Sequence, residues 1–142
     1  MTTRVLFVCV SNRGKSVMAE GLAQLRSDGV IEASSAGTAA AIGGTVNELS
    51  AQVLAEVGAD ISGHQSRQLT AELMQDADLV VSVGAAAAGE ITAPAGVTVE
   101  IWETDEPSVR GIEGVDRMRL IREDITVRID ELAGRFTARP AQ

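Results

Sequence analysis

Residues 5–16, Val-Leu-Phe-Val-Cys-Val-Ser-Asn-Arg-Gly-Lys-Ser, change character twice in one short stretch and so limit what the chain can build. The apolar, β-branched run over 4–10 reads as a buried strand of a parallel sheet. A tight polar loop with one glycine follows, and helical spacing begins at Ser16. The first turn of a helix has backbone N–H groups with no intrahelical carbonyl and carries partial positive charge. A loop delivered there by a strand is a site for an oxyanion. The only cysteine, Cys9, stands at the loop's entrance and the only lysine, Lys15, at its exit. The stretch reads as an oxyanion cradle around a thiolate nucleophile.

The rest of the chain alternates strands and helices. Met18, Leu22 and Leu25 space a helix over 16–27, with Gly29 as its stop. A second strand is expected over 31–36, ending in Ser35-Ala36-Gly37-Thr38. A helix over about 47–57 follows, with Leu49, Val53, Leu54 and Val57 on its apolar face. Residues 61–68 read as polar and irregular, and Thr70 caps a short helix over 71–75. Residues 79–83 form a third buried strand, and 97–102 a fourth. The alanine tract 85–89 suggests no chemistry. Residues 104–114, with acids, Pro107 and glycines, read as a loop. The last helix, over about 115–133, carries Met118, Ile121, Ile125, Ile129 and Leu132 on one stripe, and the tail beyond it is expected to fray. This is an α/β pattern: one domain with a four-stranded parallel sheet flanked by helices. Ligands of such folds bind beyond the carboxyl ends of the strands, where the loops after Cys9 and after Trp102 both lie.

At 142 residues and 45% hydrophobic, the chain can bury a core, and with 2% aromatics that core is aliphatic. The formal charge of −8 argues against nucleic acid and anionic membrane surfaces as partners. An anionic substrate then needs a local positive pocket. No apolar run is long enough to span a bilayer. The opening Met-Thr-Thr-Arg reads as entering a strand without a secretory leader, and a single cysteine permits no internal disulfide, so the cytoplasm is the expected compartment.

A free cysteine is ordinarily a buried, inert thiol. Here its place, at a strand's end beside a helix N-terminus and a lysine, is one that stabilises a thiolate. Gly14-Lys15-Ser16 also matches the end of a nucleotide phosphate loop. That pattern wants glycine where Cys9 stands and an aspartate where Gly84 follows the third strand, so no nucleotide is expected. The remaining reading is a cysteine-phosphatase loop, in which a cation follows the cysteine by six residues and a hydroxyl residue comes next. Cys9, Lys15 and Ser16 have that spacing.

Val8-Cys9, Asn12, Ser16, Ser35-Ala36-Gly37-Thr38, Asp60-Ile61-Ser62-Gly63-His64 and Glu106-Pro107 together resemble the low-molecular-weight protein tyrosine phosphatase superfamily, in the right order along nearly the whole chain. Within it the chain looks most like the arsenate-mycothiol transferases. Phosphatases of this kind carry Arg where Lys15 stands, often a second Cys at Gly14, and Asp at Glu106. The resemblance implies that Cys9 attacks arsenate and that mycothiol takes the arsenic from it. A mycoredoxin-like protein then releases arsenite. An internal cysteine relay is impossible with one cysteine. The alternatives are a phosphatase of tyrosyl or small esters and an oxyanion-binding protein without turnover.

The loop from Val10 through Ser11, Asn12, Arg13 and Gly14 to Lys15 and Ser16 would supply amide donors to the oxyanion. Ser16 either bonds the thiolate or caps the helix. Asn12 would hold the loop by a left-handed backbone, with Ser35 among its partners. Arg13, at the crest, either draws the anion or thiol inward or is solvated. With eleven arginines and one lysine, a general preference for lysine cannot account for Lys15. Its compact charge is expected to grip an oxyanion less firmly than an arginine fork. The resemblance implies that Glu106, in preference to Asp105 just before it, stands at the general-acid position. His64 reads as structural or surface, Trp102 as core packing more than pocket wall, and no metal-ligand cluster is apparent.

Overall fold

The computed structural model describes residues 2–137. Four parallel strands, β1 (Thr3–Cys9), β2 (Ile31–Gly37), β3 (Leu79–Val83) and β4 (Val99–Trp102), stand in the order β2-β1-β3-β4. β1 is central, pairing Cys9 with Gly37 on one side and Val8 with Ser82 on the other. Four helices flank them: α1 (Lys15–Arg26) after β1, α2 (Glu48–Ala55) and α3 (Ala71–Gln75) between β2 and β3, and α4 (Gly114–Thr137) after β4. The expected four-stranded parallel α/β architecture is the one observed.

Successive side chains of a strand point to opposite faces, and β1 is apolar on both because both are covered. Val5 and Phe7 pack among Met18 and Leu22 of α1, Val53 and Leu54 of α2, and Ile121, Ile125 and Ile129 of α4. Leu6 and Val8 face the other way, onto Ala36, Met74, Val80 and Ala87. Trp102 is buried in the first cluster, with its ring centroid 5.7 Å from that of Phe7. It is a core residue, as expected.

Local departures from the sequence reading have local causes. Leu25 lies on the Met18–Leu22 stripe but in the last turn of α1, and it is 45% exposed. α2 ends at Ala55, so Val57 falls outside it and is exposed; Leu49, in its first turn, is half exposed. The fourth strand begins two residues late, at Val99, because 95–96 form a turn after Pro94. The alanine tract forms a 3-10 turn over Ala85–Glu90, and the loop expected over 104–114 contains another over Pro107–Arg110. α4 continues through Gly134–Thr137 instead of fraying after Ala133. The rest of the expected tail, 138–142, lies outside the described residues. Among the described residues no helix is long and apolar enough to cross a membrane.

Candidate active site

The loop between β1 and α1 faces its carbonyls away from the sulfur. The Cys9 carbonyl accepts from the Thr38 amide at 3.0 Å, that of Val10 from Ala39 at 2.9 Å and that of Arg13 from Asn47 at 2.8 Å. The Asn12 carbonyl accepts from Ser66 Oγ at 2.9 Å and lies 3.0 Å from His64 Nε2. With the carbonyls so engaged, the peptide planes turn amides inward: the Asn12 N–H points at Cys9 Sγ, 3.3 Å away. The Arg13 amide is turned to Ser11 Oγ at 3.3 Å, and the first-turn amides of α1, from Lys15 onward, have no intrahelical acceptor and are available to an oxyanion.

This conformation requires a left-handed residue at position 12, and Asn12 adopts φ 57°. Its buried side chain fixes the turn. Nδ2 donates to Ser16 Oγ at 2.9 Å and Ser35 Oγ at 3.0 Å, and Oδ1 accepts the Arg67 amide at 3.0 Å. Close approach of β2 is equally necessary. A Cβ on Gly37 would lie 2.6 Å from the Val10 carbonyl oxygen, so only glycine lets the strand pass beneath the loop.

Cys9 is 8% exposed, and its sulfur lies 3.0 Å from Ser16 Oγ. The N-cap position of α1 is Gly14, so Ser16 does not cap the helix; its hydroxyl serves the sulfur. Sγ opens on a cleft of about 230 Å³, with Ser11 and Lys15 on one side and Gly84, Ala85 and Ala87 on the other. The alanine tract is therefore a wall of the cleft. Its position after β3, at the same sheet edge as the Cys9 loop, was the available signal. Arg13 is exposed at the crest and donates from Nε to the Thr45 carbonyl at 2.6 Å.

Lys15 reaches sideways. Its Nζ donates to Thr104 Oγ1 at 3.1 Å and lies 3.7 Å from Glu106 Oε2, which brings the acid loop to the cleft. The other Glu106 oxygen accepts from Arg117 Nη2 at 2.6 Å. That guanidinium, opposed by partial burial and aided by Lys15, holds the Glu106 carboxyl below its usual range. Asp105 is paired with Arg110 through two bonds of 2.8 and 3.1 Å, and Arg110 holds it below the usual range as well. Both acids are thus engaged as anions. Glu106 Oε2 and Arg117 Nε are both shut off from solvent without a hydrogen-bond partner, so the network is only partly satisfied.

His64 braces the loop from outside and does not approach the thiol, the structural role expected of it. The braces at Ser66 and Arg67, the Thr104 hydroxyl and Arg117 had no distinguishing pattern in the sequence. Ser66 and Arg67 do adjoin the Asp60–His64 segment, which was the nearest pointer. No group of three or more His, Cys, Asp or Glu side chains capable of holding a metal occurs among the described residues.

The model of the low molecular weight phosphotyrosine protein phosphatase family matches residues 4–112, and the chain belongs to that family. It is 30% identical to the glutaredoxin arsenate reductase of Synechocystis sp. over 137 residues, which is 94% of this chain and 98% of that protein. It is 38% identical over 93 residues to the Ralstonia solanacearum protein named "Probable low molecular weight protein-tyrosine-phosphatase EpsP", covering 66% of this chain and 63% of that one. A crystal structure of the low molecular weight protein tyrosine phosphatase from T. tengcongensis superposes with a TM-score of 0.78 at 29% identity, over 94% of this chain and 99% of that one.

Proposed function

We propose that the protein is an arsenate reductase of the single-cysteine type. The supporting observation is the state of the acid loop. An ester phosphatase must protonate a departing alkoxide or phenoxide, and both acids near the cleft are tied up as anions by arginines. Protonated arsenate brings the proton that its own leaving oxygen needs. The similarity to an arsenate reductase along nearly the whole chain fits this reading, whereas the match to EpsP stops at two thirds of the chain.

In this mechanism the loop amides and Lys15 hold the arsenate oxygens while the Cys9 thiolate attacks arsenic. The S–As bond forms, an As–O bond breaks, and water leaves with a proton from arsenate. The thiolate of an external small thiol, of the mycothiol class, then attacks arsenic and displaces the Cys9 thiolate. A separate redoxin of the mycoredoxin class attacks the sulfur of the released arseno–thiol adduct. The S–As electron pair passes to arsenic, giving arsenite and a mixed disulfide. The external thiol is needed because Cys9 is the chain's one cysteine. In this reading Glu106 steers Lys15 instead of delivering a proton.

The superposition on a tyrosine phosphatase favours a second reading, hydrolysis of phosphate esters at the same cysteine. Parallel assays decide. Arsenite production is expected with mycothiol plus mycoredoxin and not without them, above any release of p-nitrophenol from its phosphate ester, and Cys9→Ser abolishes it. Dominant ester hydrolysis establishes the phosphatase, and loss of both activities leaves an oxyanion-binding protein.

A further inference from the structure

Glu20 lies one helical turn beyond Ser16 on α1, on the same side of the helix, and the reaction described above gives it no task. Its Oε1 accepts a short hydrogen bond, 2.5 Å, from Ser35 Oγ. Its other oxygen accepts from Gln24 Nε2 at 3.4 Å.

Counting protons fixes the direction of each bond around Asn12, and with the sulfur as the thiolate it fixes the last one as well. The Arg67 backbone N–H can only donate, so the Asn12 atom facing it is the amide oxygen. Nδ2 therefore faces the two serines and gives one hydrogen to each. A serine hydroxyl has one proton. Ser16, having accepted from Asn12, is free to send its own proton to Cys9 Sγ. Ser35, having accepted from Asn12, sends its proton to the Glu20 carboxylate. Asn12 thus has two arms, one ending on the nucleophile and the other on Glu20.

We propose that Glu20 is a positioning residue for Cys9, acting through Ser35 and Asn12 to keep the Ser16 proton directed at the sulfur. The carboxylate gives the Ser35 proton a destination. Without it, that hydroxyl can turn its hydrogen toward Asn12 Nδ2, where two donors oppose each other, and the amide that directs Ser16 loses one of its anchors. The anionic charge has the opposite effect, because a nearby carboxylate disfavours a thiolate. Positioning and charge therefore predict opposite outcomes.

The test is the rate of Cys9 alkylation by iodoacetamide across pH, in the full chain without arsenate, so it is independent of which oxyanion the enzyme uses. Glu20→Leu is expected to react about fivefold more slowly than the wild type at neutral pH, as for one lost hydrogen bond, with its half-reaction pH moved upward. Glu20→Gln, which retains an acceptor oxygen, is expected to stay within about twofold of the wild type. Ser35→Ala should match Glu20→Leu, and the double variant should lose little more than either. Ser35→Ala carries the test alone if Glu20→Leu does not fold. Faster alkylation in both Glu20 variants, or unchanged alkylation in Ser35→Ala, overturns the proposal.

Discussion

Arg117 and Glu106 meet through a 2.6 Å ion pair at the edge of the cleft, and this contact sets the charge of the acid loop. Replacing the arginine should return the carboxyl toward its ordinary range and make a proton available there in mildly acid solution. Arg117→Met is therefore expected to raise p-nitrophenyl phosphate hydrolysis several-fold near pH 5, where the wild type is weak. The pH–rate profiles of the two proteins check this. Coincident profiles would show that the pair does not control proton supply.

Ser16 gives the second prediction. A hydroxyl donating to an anionic sulfur is among the stronger hydrogen bonds, so Ser16→Ala should slow Cys9 alkylation at neutral pH by about tenfold or more. Thermal unfolding should shift down only modestly, because the variant also takes one buried acceptor away from Asn12 Nδ2. A large loss of stability with unchanged alkylation would reverse the assignment.

Much of this arrangement is legible in the chain, and the legible part is local. Asn12 announces a left-handed turn and Ser35-Ala36-Gly37-Thr38 a strand end, while the close approach that requires glycine at position 37 shows only in the fold. Cys9 and Ser16 are linked by spacing alone. What stays hidden depends on long separations. Lys15 finds Thr104 across 89 residues, and only the sheet order β2-β1-β3-β4 brings β4's loop to β1's. Arg117 looks like any charged residue on the polar face of an amphipathic helix. Ala85 and Ala87 carry no functional group; they matter through where β3 ends.

Lysine at position 15 offers a third test. An arginine there could bond two oxyanion oxygens at once, so Lys15→Arg is expected to tighten competitive inhibition by phosphate by about fivefold. An unchanged or weaker inhibition constant would mean that the Thr104 and Glu106 contacts, not the cation's shape, govern the grip.

Gly37 provides a steric test. The Cβ of Gly37→Ala would meet the Val10 carbonyl at 2.6 Å and the Asn12 amide nitrogen at 3.0 Å. Overpacking of this sort costs about 1–3 kcal/mol. A lower Tm together with slower Cys9 alkylation is expected, since the displaced atoms belong to the cradle. A lower Tm alone would show that the loop absorbs the strain elsewhere.

Far from the cleft, Glu56 bridges α2 to α4 through Arg119 at 2.6 Å and Arg122 at 2.7 Å. Hydrogen bonds from these arginines depress its carboxyl from 4.5 to about 2. A depressed carboxyl stabilises the fold above its unfolded pKa, and the contribution is lost as pH falls through the folded value. Glu56→Gln should therefore unfold at a lower temperature than the wild type at neutral pH. The gap should narrow steadily below pH 4.5 and close near pH 2. A gap independent of pH would assign the effect to packing.

The outward carbonyls of the cradle are clasped by Thr38, Ala39, Asn47 and Ser66, all downstream of the loop. A chain emerging from the ribosome therefore carries Cys9 and its loop while the 54 residues from Asn12 to Ser66 are made, before the last clasp can close. During that interval the sulfur is an ordinary thiol on an unbraced segment. Its reactivity is conferred only when the middle of the polypeptide arrives, so nascent chains halted short of Ser66 should expose the cysteine without the anion site.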